Sequence, residues 1–394
     1  MPARKHIAVV GFSTASHVYP SLALIRELVA QGHRVSYAIG DRLAGLVEST
    51  GAELVTHPTT LPPDDADWPT DLAAVMATRL FLNEAIAVLP RLLERYRHDR
   101  PDLVLYDLGG IAGPVLGTRL GVPSVLMTPA NVAWEGFEEE IAAELQALED
   151  APEARSYHHA CNEWLRENGI DRDAWEWAAD VQDVIALFPR ALQPHADRVP
   201  ASVQFIGPCL DPARLADRSW APPAEGGRRV LLVSLGTLFN GRLDVFRSCL
   251  EAFADSDWQV VMAVGNRVNV ADLGPIPRNI EVYPSVPQLA VLASASVFIT
   301  HAGMASCSEA LWFGVPMVAI PQAVDQFRNA SMLEELGVGC QLSADQLSPA
   351  ALRSAVESVT GASGLAGRLA EVQAEVRAQG GVKHAVAAVE SFLA

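Results

Sequence analysis

The sequence predicts an α/β protein with two domains, each built on a parallel β-sheet. Short apolar runs such as residues 6–10 (HIAVV) and 229–234 (RVLLVS) alternate with longer segments of helical character. The chain has 394 residues, more than one hydrophobic core usually serves. Half of the residues are apolar and 28 are glycine, a composition that suits a globular α/β protein.

The first half of the chain alternates strands and helices, which predicts a parallel sheet with right-handed crossovers. A helix is expected from Pro20 to Gln31, because proline is favoured in a first turn and Gly32 follows. Asp41 is expected to cap a helix through Ser49. The other predicted elements are strands 6–10, 34–39, 53–55, 103–106, 124–127, 184–188 and 203–206, a helix over 72–96, and a Trp-rich helical insertion over 134–179.

The stretch 208–227 is rich in Pro, Gly, Asp and Arg and is typical of a linker between domains. We therefore predict a first domain over 1–210, a linker over 211–227, a second domain over 228–380, and a C-terminal helix over 381–394. The predicted elements of the second domain are strands 229–234, 258–264, 279–283, 297–300 and 316–320, and helices from about 243, over 349–359 and over 365–378.

Charge and cysteine content exclude several functions. The net charge of −18 argues against nucleic acid or an acidic membrane surface as partner. The five cysteines are odd in number and scattered, without a CxxC pair, which favours reduced thiols in a cytoplasmic protein. No segment has the roughly 20 apolar residues needed to span a bilayer, so no stable membrane insertion is expected. No GxGxxG or GxxxxGK[ST] motif occurs, which disfavours NAD, FAD and P-loop nucleotides.

Polar residues follow strand ends in the stretch 297–329. A buried strand at 297–299 leads into the turn that contains His301 and Gly303, and a helix follows. In open parallel sheets this edge binds ligands, and the N-terminus of a helix suits a phosphate. Glu309 lies eight residues after His301, about two helical turns, and is placed to bind ribose hydroxyls. These parts suit a nucleoside diphosphate.

The spacing His301-x-Gly303-x-x-Ser306-x-x-Glu309, with Asp325-Gln326 downstream, resembles the donor signature of inverting UDP-glycosyltransferases, particularly bacterial macrolide glycosyltransferases. The resemblance implies the GT-B fold, in which two Rossmann-like domains face each other across a cleft. It also implies that His301 contacts the diphosphate, Ser306 a phosphate oxygen, Glu309 the ribose, and Asp325-Gln326 the sugar. The full predicted donor set is Gly236, Thr237, Ser285, Val286, Gln288, His301, Gly303, Met304, Ala305, Ser306, Glu309, Asp325 and Gln326.

The segment 283–288 departs from the family pattern. Related enzymes carry a Trp that stacks on uracil where this chain has Ser285, although Val286 and Gln288 still provide polar contacts to base and ribose. Loss of such a stack costs about 1–3 kcal/mol by analogy with nucleic-acid binding, which makes a dTDP-sugar a serious alternative. The Asp325-Gln326 pair favours a UDP-hexose. By the same resemblance no metal and no cofactor are expected.

The first domain departs from the family in its catalytic base. Related enzymes pair a histidine after the first strand with an aspartate at a later strand end, and Asp107 matches that aspartate. An alignment without gaps places Ala15 at the base position and makes His17 a structural residue at the helix start. Two interpretations follow from the sequence. The favoured one is a silenced variant in which Asp107 has lost its partner, and the other is a natural variant that deprotonates its acceptor differently.

The leading function is transfer of a hexose to a hydroxyl of a macrolide or similar polyketide. The rivals are a dTDP-deoxysugar glycosyltransferase, a nucleotide-sugar epimerase of the same fold, and a non-catalytic nucleotide-sugar-binding protein. Most aromatic residues of the insertion are expected in the core. The candidates for contact with a hydrophobic acceptor are Phe12, Leu108, Trp134 and Phe137. A monomer or a homodimer fits the sequence equally well.

Overall fold

The computed structural model describes residues 4–63, 66, 68, 73–143, 146, 151–180, 183–223 and 227–393, without the side chains of 73–77. In this part of the chain two parallel β-sheets are flanked by helices on both faces, as in GT-B proteins. The predicted α/β class is confirmed.

The first sheet has seven described strands in the order β3-β2-β1-β4-β5-β6-β7, all paired in parallel. The strands are β1 (His6–Val10), β2 (Arg34–Gly40), β3 (Glu53–His57), β4 (Leu103–Asp107), β5 (Ser124–Thr128), β6 (Val184–Ala186) and β7 (Val203–Phe205). The helices are α1 (Ala15–Ala30), α2 (Ala44–Glu48), α3 (Ala73–Tyr96), α4 (Ala112–Leu120), α5 (Phe137–Glu140), α6 (Pro152–Glu167), α7 (Ala174–Ala179) and α8 (Pro212–Leu215).

The second sheet has six described strands in the order β10-β9-β8-β11-β12-β13, again all parallel. The strands are β8 (Arg229–Ser234), β9 (Trp258–Ala263), β10 (Ile280–Tyr283), β11 (Ala295–Thr300), β12 (Met317–Ala319) and β13 (Gly339–Gln341). The helices are α9 (Leu243–Phe253), α10 (Gln288–Leu292), α11 (Met304–Phe313), α12 (Gln326–Glu335), α13 (Pro349–Gly361), α14 (Leu365–Ala378) and α15 (Val382–Ser391).

Several elements differ from the sequence-based expectation. The strand β13 was not predicted, because its three residues include Gly339 and lack a β-branched run. The Trp-rich insertion is not one helix in the described residues but three, α5, α6 and α7, and Trp134 precedes them. Asp41 begins a 3₁₀ turn, Asp41–Leu43, and α2 starts only at Ala44. The predicted start of α3 at Leu72 lies outside the described residues.

Helix α1 also begins earlier than predicted, at Ala15, so that Pro20 lies inside it. Proline removes the hydrogen bond to the carbonyl four residues earlier, but the turn before it closes through the amides of His17 and Val18, which both donate to the Thr14 carbonyl. The segment 15–19 is therefore helical rather than part of the loop.

Each sheet contains one position where the strand order reverses. In the first sheet this lies between β1 and β4, and in the second between β8 and β11. At such a switch point the loops leave the sheet in opposite directions and open a crevice at the carboxyl ends of the strands. The four loops after these strands carry the functional residues described below.

Four clusters of buried apolar side chains fill the space between sheets and helices. One of them crosses from one half of the molecule to the other: Ala186, Phe188 and Leu192 of the first half pack with Leu232 and Phe298 of the second. The two sheets are thus joined through an apolar contact as well as through the chain.

The chain passes between the two halves twice, and the two passages lie side by side. The Gly381 amide donates to the Ile206 carbonyl at 2.9 Å, and Gly207 lies against Gln379. After the second passage α15 returns to the first sheet, where Ala385, Val386, Ala388 and Val389 join the core beside α1. The predicted boundary residues at 210, 227 and 380 stay predictions.

No helix within the described ranges is both long enough and apolar enough to cross a membrane.

Replacement of Val389 by Asp tests whether α15 is part of the core. The side chain of Val389 is fully buried, so we expect a loss of roughly 3 kcal/mol in the free energy of unfolding from an unpaired buried carboxylate. The matched control is Ala387→Asp on the exposed face of the same helix, with an expected change under about 0.5 kcal/mol. Urea denaturation followed by fluorescence gives both values, and equal midpoints for the two variants would contradict the packing.

Candidate active site

The loop after β1 and the end of β4 bring an imidazole and a carboxylate together. His17, the third residue of α1, contacts Asp107, the last residue of β4, with Nδ1 at 2.9 Å from Oδ1 and 3.1 Å from Oδ2. The Gly109 amide also donates to Asp107 Oδ1, at 2.9 Å. Asp107 is buried and His17 is partly exposed. With Nδ1 donating to the carboxylate, Nε2 is the basic nitrogen of the ring.

The expectation that Asp107 lacks an imidazole partner is wrong, because His17 supplies one. The alignment without gaps placed the base position at Ala15, the first residue of α1, whose methyl group accepts no proton. The early start of α1 brings His17 to Asp107, and this start was hidden in the sequence by Pro20. The hypothesis that Ala15 silences the enzyme itself stays a prediction.

The predicted acceptor residues occupy two environments. Leu108 directly follows Asp107 and is exposed, whereas Phe12 is buried. The Phe12 ring lies edge-on to His17, with centroids 5.0 Å apart, and to Phe81 of α3, at 4.6 Å. Phe81 was not singled out in the sequence. These rings give the imidazole an apolar surrounding on its own domain.

Trp134 and Phe137 form an edge-on pair with ring centroids 4.6 Å apart. Trp134 is buried and donates through Nε1 to Glu140. The guanidinium of Arg328, from α12 of the other half, lies 5.3 Å from the Trp134 ring and 5.5 Å from the Phe137 ring. Cation–π contact makes this pair a bridge between the halves. Its role toward an acceptor stays a prediction.

The turn after β11 places His301 between two glycines. A Cβ atom on either Gly236 or Gly303 would collide with the imidazole ring. Burial lowers the pKa of His301 to about 4, against a smaller opposite effect from the Ser234 backbone, so the ring is neutral at pH 7. A neutral imidazole next to the start of α11 adds no positive charge of its own until an anion raises its pKa.

Two buried asparagines that the sequence analysis missed hold the turns at His301 and Gly236, one each. Asn329 donates through Nδ2 to the Ala302 carbonyl and to Asp325 Oδ2, both at 2.9 Å. Asn240 donates through Nδ2 to the Gly236 carbonyl at 2.8 Å. The one available signal was the spacing of Asn329 and Asp325, four residues apart on one helical face.

Asp325 lies opposite the first sheet. Burial raises its pKa, and the Asn329 hydrogen bond and the charge of His17 partly oppose that shift. Arg328, in the first turn of the same helix, contacts the Trp134 ring of the first half, so this end of α12 faces the first half. Gln326 is buried, and its Oε1 accepts a hydrogen bond from the backbone amide of Gln322 at 2.8 Å. This oxygen therefore stabilises the turn that precedes α12.

Glu309 is buried on α11, and both of its oxygens have partners. Gln288 Nε2 donates to Oε2 at 2.6 Å, and Arg214 Nη1 lies 3.0 Å from Oε1. The predicted neighbours Gln288 and Glu309 are thus brought together, while Arg214, from the predicted linker, was missed. On the same helix Met304 and Ser306 are buried, whereas Ala305 is exposed. In the loops after β8 and β10, Thr237 and Ser285 are exposed and Val286 is half-buried.

Comparison with known proteins identifies the family. The oleandomycin glycosyltransferase of Streptomyces antibioticus is 41% identical over 98% of this chain and 91% of its own length. The chain belongs to the GT-B glycosyltransferases of antibiotic biosynthesis. NDP-glycosyltransferase YjiC of Bacillus licheniformis is 33% identical over 99% of this chain and 98% of its own. The family model for the C-terminal domain of erythromycin biosynthesis protein CIII-like proteins matches residues 247–391.

Solved structures agree with this assignment. The glycosyltransferase of kitacinnamycin superposes with a TM-score of 0.90 at 38% identity over 100% of both chains. CalG4, the calicheamicin glycosyltransferase, gives 0.85 at 34% identity over 99% of this chain and 98% of its own. The two-sheet architecture described above is therefore that of known glycosyltransferases.

Replacement of Gly303 by Ala tests the position of the His301 ring in this glycosyltransferase. Gly303 has φ −64° and ψ 142°, a backbone conformation that alanine accepts, so only the clash with the imidazole is introduced. We expect the donor KM to rise about ten-fold or more, since overpacking of this kind costs about 1–3 kcal/mol.

The matched control for that experiment is Gly361→Ala. Nothing lies within 4 Å of an added Cβ there, and the residue is helical. Donor KM should stay within two-fold of the original enzyme. Equal donor KM values for Gly303→Ala and the original enzyme would contradict the placement of the ring.

Proposed function

We propose that the protein is an inverting O-glycosyltransferase that moves a hexose from a UDP-sugar to a hydroxyl of a macrolide or similar polyketide. The observation that carries the proposal is the His17–Asp107 pair at the start of α1, a helix that lines one crevice with the start of α11 in the opposite half. A base with its orienting carboxylate thereby faces the residues assigned to the donor sugar. The named products of the relatives, oleandomycin among them, support a natural-product acceptor.

The geometry suits a single displacement at the anomeric carbon. The acceptor hydroxyl gives its proton to Nε2 of His17, and Asp107 stabilises the imidazolium through Nδ1–H. The acceptor oxygen then bonds to the anomeric carbon while the bond from that carbon to the diphosphate oxygen breaks. Attack on the face opposite the leaving group inverts the configuration. The donor sugar, placed against Asp325, lies between the base and the diphosphate.

The leaving diphosphate is stabilised by backbone amides at the start of α11 and by His301. A dianion beside the ring favours its protonated form, which converts a neutral imidazole into a cation as the leaving group develops charge. Because these groups carry the charge, we propose that transfer needs neither a metal ion nor a cofactor. The helix N-terminus offsets the unfavourable net charge of −18 locally.

The choice of UDP over dTDP rests on the ribose site. Glu309 and Gln288 form one polar group in the crevice, and a carboxylate has lone pairs for two vicinal hydroxyls. Deoxyribose offers only one of these hydroxyls. Ser285 is exposed and provides no aromatic surface for the base, so ribose contacts carry a larger share of nucleotide recognition in this enzyme.

Mass spectrometry of reactions with UDP-glucose and dTDP-glucose against a panel of macrolide and polyketide alcohols tests the assignment. We expect a product one hexose heavier with UDP-glucose, and a rate lower by about ten-fold with dTDP-glucose, because a buried carboxylate would lose a partner. Faster reaction with dTDP-glucose would assign the alternative donor. Absence of transfer together with absence of nucleotide binding in calorimetry would point to a non-catalytic protein.

Replacement of His17 by Ala tests the base. We expect kcat to fall by roughly 10²–10⁴-fold with the dissociation constant for UDP unchanged, because the base acts on the acceptor alone. Asp107→Asn should lower kcat in the same direction, since an amide does not stabilise the imidazolium. Steady-state kinetics and calorimetry separate the two effects.

The control for loss of a histidine is His159→Ala, an exposed residue of α6 whose Nε2 lies 3.5 Å from Glu163 Oε1 on the same helix. Its kcat should not change. Ala15→His provides the opposing test: a large gain in kcat from that variant, with no loss from His17→Ala, would restore position 15 as the base position and remove the role of His17.

A further inference from the structure

Helix α8 of the predicted linker is fixed to the first half of the molecule. Asp211 caps the helix by accepting from the Ala213 amide at 2.8 Å, and its other oxygen accepts from Arg26 of α1 at 3.0 Å. Asp211 is buried, so this anchor is firm. Arg214, one turn along, is therefore tied to the first half through this anchor.

From that position Arg214 reaches two sites at once. Its Nη1 lies 3.0 Å from Glu309 Oε1, and its guanidinium carbon lies 5.5 Å from the centre of the Tyr19 ring. Tyr19 lies two residues after His17 on α1. The crevice at this point is lined by both halves: Tyr19, Pro208, Leu210 and Arg214 on one side, and Met304, Ser308 and Glu309 on the other.

The positive charge of Arg214 compensates the negative charge of the Glu309 carboxylate. A buried carboxylate close to the start of α11 repels the diphosphate that the helix N-terminus attracts. A guanidinium bound to one oxygen neutralises that charge, and the Gln288 amide orients the other oxygen. Each carboxylate oxygen has a second lone pair, so both remain able to accept from a hydroxyl.

We propose that Arg214 is a donor-positioning residue, which holds the Glu309 carboxylate in the orientation that accepts the ribose hydroxyls of the nucleotide sugar. The proposal rests on the function proposed above. Arg214 acts through Glu309, on the nucleoside part of the donor, and not on the reacting atoms. Removal of Arg214 therefore affects donor binding and leaves the base and its aspartate in place.

Calorimetric titration of Arg214→Ala with uridine and with UDP tests the proposal. We expect both to bind about ten-fold more weakly or worse, as for loss of a hydrogen bond to a charged group, and by the same factor. In transfer assays the donor KM should rise by a similar factor, with kcat within three-fold. Arg214→Lys should recover part of the loss, because a lysine retains the charge without the planar fork.

Two further variants make the test specific. Arg218→Ala removes an arginine from the same segment whose guanidinium donates to the backbone carbonyls of Leu215 and Asp217, and this variant should bind UDP as the original enzyme does. In a Glu309→Gln background, Arg214→Ala should cause little additional loss, since both changes act on one carboxylate.

Three results would overturn the proposal. The first is unchanged affinity of Arg214→Ala for uridine and UDP, and the second is an undiminished effect in the Glu309→Gln background. The third is a much larger loss for UDP than for uridine, which would assign Arg214 to the phosphates. If the original protein itself binds neither uridine nor UDP, the proposed function fails as well, whereas normal binding with an unaffected Arg214→Ala variant removes only this inference.

Discussion

The active site depends on one topological constraint: all strands of each sheet are parallel, so every strand delivers its following loop to the same edge. At the two switch points, β1/β4 and β8/β11, neighbouring loops part and leave a crevice. The His17–Asp107 pair lies at the first point, and the Gly236 and His301 turns lie at the second. The crevice lined by Tyr19 and Pro20 of α1 and by Met304 and Glu309 of α11 shows that the two edges face each other, so that groups from remote parts of the chain lie close together.

Much of this arrangement was predictable from the sequence, because it follows from local patterns. Alternating apolar runs and helical segments predicted parallel sheets, and the spacing from His301 to Glu309 predicted a strand, turn and helix that the structure has at β11 and α11. The short strand β13 was missed because three residues are too few to show an apolar run or an alternation of apolar and polar residues. The start of α1 escaped because the proline inside it suggested a later beginning.

The partners of the site residues were not predictable in the same way, because they come from distant parts of the chain. The family resemblance indicated a histidine after β1 as the partner of Asp107, but the residues around position 17 do not show that His17 is the one whose imidazole meets this carboxylate, 90 residues away. Arg214 pairs with Glu309, which lies 95 residues later in the chain (309 − 214). The segment that contains Arg214 has the composition of an ordinary linker. Asn240 looks like a turn residue by type, although it is buried and holds the Gly236 loop. Such contacts become visible only once the sheets have brought the loops together.

The double passage of the chain between the halves has a consequence for motion. Gly207 on one passage and Gly380 and Gly381 on the other have positive φ values of 76°, 85° and 53°, a region open to glycine at little cost. The two passages are joined by a hydrogen bond and therefore lie on one line at the edge of the domain contact. Any rocking of one domain against the other would turn about this line and change the width of the crevice between the two sheets.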